Sequence, residues 1–135
     1  GHIPYGYSTK GRLYYDIYNE KTDYACEPLN TITLEPEAQE DRYPIVMVDR
    51  GNCTFVTKSR NVQNLGGHIA LIINNNDEDV RDIVMVDDGT GQDIWIQAVL
   101  ISKRDGQIIK EFIKQNQDNK SLLTKLIVSV EYEMV

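Results

Sequence analysis

The sequence predicts a mixed domain, α/β or α+β, with a β-rich core, and three observations lead there. Short apolar runs rich in Val and Ile recur at 44–49, 68–74 and 94–102, each bounded by Gly, Pro, Asn or Asp. Two segments, about 55–65 and 103–115, carry apolar residues at helical spacing. Residues 125–135 alternate apolar and polar positions. The resulting order is strand, loop, strand, helix, strand, strand, helix, strand. With 135 residues, one domain spanning 1–135 is expected.

Taken in order, residues 1–11 carry Pro4, Gly6 and Gly11 and read as an irregular lead-in. Residues 12–18, RLYYDIY, are aromatic and β-branched enough for a strand. A polar loop is expected over 19–43, with a helical turn at 36–40 and Cys26 as its tether. PIVMVD at 44–49 reads as a buried strand, and Arg50-Gly51-Asn52 turns the chain. A helix follows from Phe55 to Leu65, with Thr54 as N-cap and Gly66-Gly67 as its stop. Phe55, Val56, Val62 and Leu65 are assigned to its inner face, and Lys58, Arg60 and Asn61 to water.

HIALIIN at 68–74 reads as a central strand, apolar on both faces. The stretch 74–92 is acidic and glycine-containing, interrupted by IVMV at 83–86. IWIQAVLIS at 94–102 is another buried strand. Ser102 with Asp105 forms a capping-box-like start to a helix reaching Gln115, with Ile108, Ile109, Phe112 and Ile113 on one side. Residues 116–121 read as a polar loop. In the final strand Leu126, Val128, Val130, Tyr132 and Met134 share a face.

The net charge of −7, with acids and bases interspersed, lacks the basic footprint of a nucleic-acid binder and disfavours an anionic membrane surface. No apolar stretch approaches the ~20 residues that span a bilayer. A chain that starts at Gly1, with no signal-peptide pattern, reads as a domain processed or excised from a larger protein.

No catalytic constellation is evident. His2 lies near the terminus, and His68 opens a strand, where a structural role is expected. No zinc-protease, nucleophile-elbow or phosphate-loop motif occurs. Asp77, Glu78, Asp79, Asp82, Asp87 and Asp88 lack the spacing of a calcium loop and read as a solvated acidic stretch. No metal and no cofactor is expected. Cys26 and Cys53 are too few for a structural metal site, leaving a disulfide or two buried thiols; a bridge would contribute roughly 3–4 kcal/mol in the chain-entropy view. Two glycosylation sequons occur, at Asn52 and Asn119, and Asn119 is the better acceptor because Asn52 sits beside a cysteine and a helix start.

Residues 48–76, VDRGNCTFVTKSRNVQNLGGHIALIINNN, resemble the central segment of the protease-associated (PA) domain family. Arg50-Gly51-Asn52-Cys53-Thr54-Phe55, Lys58, Asn61, Gln63, Gly66-Gly67 and the strand ending at Asn74 follow the family's pattern. A second landmark, an Ile-Pro-x-x-x-Ile-Ser segment, is matched at Ile96 to Ser102. Two departures stand out: Gln97 where proline is usual, and His68 where a small residue is usual, and both alter the rim of a binding surface.

The resemblance implies a β-barrel-like or sandwich core flanked by two main helices, a Cys26–Cys53 disulfide, and a setting in the secretory lumen, endomembrane or cell surface. The lead-in residues and Leu13-Tyr14-Tyr15 look most like sorting-receptor proteins. It implies a non-catalytic peptide- or protein-binding module, with Arg50, Gly51, Asn52 and Cys53 as ligand contacts and Asn74, Asn75 and Asn76 on the same rim. For Arg50 the bland alternative is an ion pair with Asp49 or Asp87. A membrane-anchored parent is expected. The alternatives are an extracellular domain that self-assembles through its final strand and tyrosines, and an accessory domain governing substrate access to a protease.

Overall fold

The computed structural model describes residues 6–16, 24–34, 43–77, 83–84, 93–123 and 126–133. Six strands close into a barrel in the order β1-β2-β3-β5-β4-β6. These are β1 (Gly6–Tyr14), β2 (Tyr43–Asp49), β3 (Ile69–Ile73), β4 (Ile83–Val84), β5 (Gln97–Ile101) and β6 (Ile127–Glu133). Helix α1 (Phe55–Leu65) links β2 to β3, and α2 (Lys103–Gln115) with the short α3 (Lys120–Leu123) links β5 to β6. The barrel core flanked by two main helices is the expected architecture.

Closure dictates which residues can be strands. β1, β2, β3 and β5 run parallel, in registers such as Leu13↔Ile45, Met47↔Leu71 and Leu71↔Val99. Every side chain of β3 is buried, because the barrel interior takes one face and α1 the other. Ile45, Met47, Leu71, Ile73, Val99 and Val130 join Leu13 in a cluster drawn from strands across the barrel, with Ile113 of α2 added. The alternate set, Val46, Val48, Ala70, Ile72 and Leu100, packs outward with Val62 of α1 and with Ala25 and Leu29.

Residues 6–11 of the lead-in read as irregular belong instead to β1, which pairs antiparallel with β6 from Gly6↔Glu133 to Arg12↔Ile127. Local Gly signals lost to long-range pairing, and the strand ends at Tyr14 rather than residue 18. Gly11 is there for space: a Cβ would sit 2.2 Å from the Tyr43 carbonyl oxygen. β5 is shorter than expected, beginning at Gln97 and leaving Trp95 outside it. The 116–121 loop contains the start of α3, where the Asn119 Oδ1 accepts from the Leu122 N–H at 3.1 Å. The 36–40 turn, residues 85–86 of the acidic stretch, Asp87, Asp88 and Met134 lie outside the described residues.

Both helix starts follow from their caps. The Thr54 hydroxyl accepts from the Thr57 N–H, and the Ser102 hydroxyl from the Asp105 N–H. Gly66 closes α1 with φ 108°, the left-handed conformation glycine supplies without strain. On α2 only Ile113 and Gly106 are buried, while Ile108 and Phe112 are exposed, so the inner face is narrower than the four apolar residues suggest. Gly106 brings the helix onto the barrel: a Cβ there would lie 2.3 Å from Ile73 Cγ2. Gly106→Val is therefore expected to destabilise by about 1–3 kcal/mol, read as a lower urea midpoint at unchanged slope; an unchanged midpoint would show that α2 does not seat this closely.

Candidate functional site

The parallel direction of β2, β3 and β5 brings their carboxyl ends, Asp49, Ile73 and Ile101, to one end of the barrel. The turn 50–53 leaves β2 there, Asn74–Asn76 leave β3 beside it, and the Arg50 N–H donates to the Ile73 carbonyl at 2.9 Å. Loops at this end are where parallel α/β architectures place ligands.

The turn itself is sharply bent. Gly51 has φ 126° and Asn52 φ 67°, values that favour Gly and tolerate Asn. Cys53 is bonded to Cys26, with 5.7 Å between Cα atoms, which ties the turn to the 24–34 segment. That bridge resolves the choice the two cysteines left open.

Arg50 is held from two sides. Its Nη1 donates to Asn74 Oδ1 at 2.9 Å, and its guanidinium lies 5.3 Å from the Phe55 ring centre. Asn74 is only 1% exposed; its Oδ1 also accepts from the Asn75 N–H and its Nδ2 donates to Asn76 Oδ1. Asn74 thus positions the rim from beneath, whereas Asn52 and Asn75 are exposed and Arg50, Gly51, Cys53 and Asn76 are half-buried. The alternative Arg50–Asp49 pair does not form: Asp49 accepts from Lys110 Nζ at 2.7 Å and from the Tyr15 hydroxyl at 3.2 Å. The other suggested partner, Asp87, lies outside the described residues.

The residue that sequence reading assigned to water is the one most enclosed. Lys58 is 0% exposed. Its Nζ donates to the Gly51 carbonyl at 2.7 Å and the Tyr24 carbonyl at 2.6 Å, and lies 3.9 Å from Cys26 Sγ. Asn61 is likewise turned inward, donating to the Ala25 carbonyl at 2.9 Å. A signal for Lys58 was present: position 58 lies three residues after Phe55, four before Val62 and seven before Leu65, on the apolar stripe rather than opposite it. Arg60 does reach the surface, where its guanidinium pairs with Asp93 at 3.0 Å and holds that carboxyl below its ordinary range.

Burial lowers the Lys58 pKa from 10.5 to about 8, with the Asp49 charge opposing.

Residues 9–109 match the family model described as PA domain. The chain belongs to the PA domain family. Its relatives include the receptor homology region, transmembrane domain- and RING domain-containing protein 3 of Arabidopsis thaliana, 34% identical over 93 residues, or 66% of this chain and 21% of that protein. Vacuolar-sorting receptor 2 of the same plant is 30% identical over 115 residues, 81% of this chain and 18% of the receptor. The human ER degradation-enhancing alpha-mannosidase-like protein 3 is 28% identical over 113 residues, 80% of this chain and 12% of that protein. The chain thus spans about a fifth or less of the length of these curated relatives. These relatives and the disulfide put the PA domain in the secretory pathway: lumen, endomembrane or extracellular face.

The lowered Lys58 pKa sets a pH signature. Between about pH 8 and 10.5 the unfolded chain holds a proton on Lys58 that the folded PA domain has released, so stability from this group rises with pH across that window and is flat below it. Lys58→Met is expected to lose that rise. At neutral pH it should also be less stable by about 1–3 kcal/mol, because two inward carbonyls lose their donor. Urea unfolding of both proteins from pH 7 to 10.5 checks this, and parallel pH profiles would remove Lys58 from the account.

Proposed function

We propose that this PA domain is a non-catalytic module that binds a peptide or protein ligand through the rim of Arg50, Gly51, Asn52 and Cys53 with Asn75 and Asn76, set in place by Asn74. The observation that carries the reading is the immobilised turn. Its disulfide, the Lys58 contact to Gly51 and the Asn74 contact to Arg50 fix a bent backbone whose outer face shows Asn52 and Asn75. A turn ordered in advance loses little entropy on binding. Arg50 supplies a charge-assisted donor for a ligand carboxylate or carbonyl, and the two asparagines supply donors and acceptors for main chain. Relatives named as a vacuolar-sorting receptor and as a receptor homology region protein support a receptor role. The same relatives support a membrane-anchored parent.

Self-association through the final strand is the less favoured reading, because one edge of β6 is already paired with β1 from Ile127 to Glu133 and the other meets β4 at Glu133. For the glycan, Asn119 is proposed over Asn52. Both are exposed, but a glycan on Asn52 would cover the rim. Intact mass of secreted protein should show a removable glycan that Asn119→Gln eliminates; a glycan persisting in that variant would shift the assignment to Asn52 and count against the rim.

Peptides selected against the domain from a display library test the rim directly. Arg50→Ala is expected to weaken them by about 1.5–3 kcal/mol, roughly ten- to hundred-fold, while leaving the melting temperature near that of the parent. Selected peptides that bind Arg50→Ala and Asn75→Ala as well as the parent would place recognition elsewhere.

A further inference from the structure

At the opposite end of the barrel, where β2, β3 and β5 begin, the surface differs in kind. Trp95 is 79% exposed there, and it is the only tryptophan in the chain. His68 stacks on Tyr43 with ring centres 4.1 Å apart and planes 5° from parallel. Between them lies a groove of about 410 Å³ lined by Gln63, Gly66-Gly67, His68, Trp95, Ile96 and Gln97, among others. His68 and Gln97, the two positions that depart from the family's pattern, therefore meet at one place.

The groove is built. Gln63 of α1 fastens its far wall: Oε1 accepts from the Trp95 N–H at 2.8 Å and the Ile96 N–H at 3.3 Å, and Nε2 donates to the Asp93 carbonyl at 2.8 Å. The Arg60–Asp93 pair fastens the same segment. An indole is thus anchored by its backbone and presented to water, forgoing the burial that an aromatic of this size normally gains. Among the described residues the lining contains no Asp, Glu, Lys or Arg, on a chain whose net charge is −7.

The geometry points to this groove as a second binding site, for a neutral oligosaccharide. A pyranose ring has an apolar C–H face that lies flat on an exposed indole, and hydroxyls that exchange hydrogen bonds with amides, imidazole and main chain. A wall whose described residues give one anchored aromatic plate with neutral polar groups beside it matches that mixed, uncharged surface. The volume suits one or two sugar rings. The secretory setting, where such glycans are displayed, is consistent with it. This site is separate from the Arg50 rim and does not depend on it.

Because Trp95 is the single tryptophan, its fluorescence reports on this groove alone. The folded domain is titrated with linear mannose-, glucose- and N-acetylglucosamine-based oligosaccharides at neutral pH, with calorimetry as a second readout. A saturable response to at least one of them is expected. Trp95→Ala and His68→Ala should each weaken it about tenfold or more, and Arg50→Ala should leave it unchanged. Trp95 is exposed enough that its replacement leaves the core intact, and His68→Ala keeps the fluorophore. An absent or unsaturable response to every sugar, one that survives Trp95→Ala by calorimetry, or saturation only by a proline-rich peptide would overturn the proposal. Peptide binding that does not depend on Arg50 and Asn75, with sugar binding present, would instead count against the rim alone.

Discussion

The Lys58 ammonium is the point at which three separate stretches of chain are joined. It rises from α1 with no contact to water, and its bonds go to main-chain carbonyls of Gly51 on one side and Tyr24 on the other. Those two carbonyls flank the disulfide, so the covalent bridge sets the distance between turn and loop while the lysine satisfies the oxygens that the bridge forces inward. Next to it Ala25 holds φ 52°, an uncommon conformation for alanine, and the Asn61 amide secures its carbonyl. A buried cation is costly unless it is solvated by the protein; here turn, loop and helix together supply that solvation, and each segment depends on the other two.

Much of this fold is legible in the residues. Helix α1 announces itself by Thr54, its apolar stripe and Gly66, and β3 by an unbroken apolar run that only a doubly covered strand tolerates. The candidate rim follows from the family resemblance rather than from pattern, and the parallel pairing of β2 and β3 brings Arg50-Gly51-Asn52 and Asn74–Asn76 to the same end. What escaped reading depends on partners remote in sequence. Lys58 reads as solvated because lysine usually is, and only the distant Tyr24 carbonyl explains its burial. β1 reaches back to Gly6 because β6 lies beside it, more than a hundred residues later. Trp95 looks like the start of a buried strand, yet Gln63 captures its backbone before the ladder begins.

The two ends of the parallel strands carry different surfaces for the same structural reason. At the carboxyl ends the chain leaves each strand in a turn, which exposes main-chain groups and short amides. At the amino ends the approach to the strands comes from Gly66-Gly67 into β3 and from the Gln63-bound segment into β5, which leaves His68 and Trp95 at the margin. α1 connects both: its first turns hold Lys58 under one end, and its last turn presents Gln63 to the other.

Closure of the barrel has one further consequence. With β1 bonded to β2 over Gly11–Tyr14 and to β6 over Gly6–Arg12, the middle of this wall, at Gly11 and Arg12, offers no vacant ladder to a guest strand. A peptide held by the proposed rim would be gripped at a few points of a turn rather than along a ribbon, which favours short recognition sequences and rapid release. Strong retention by a parent protein would then come from presenting several such contacts at once, through neighbouring domains or clustering, where effective concentration replaces contact area.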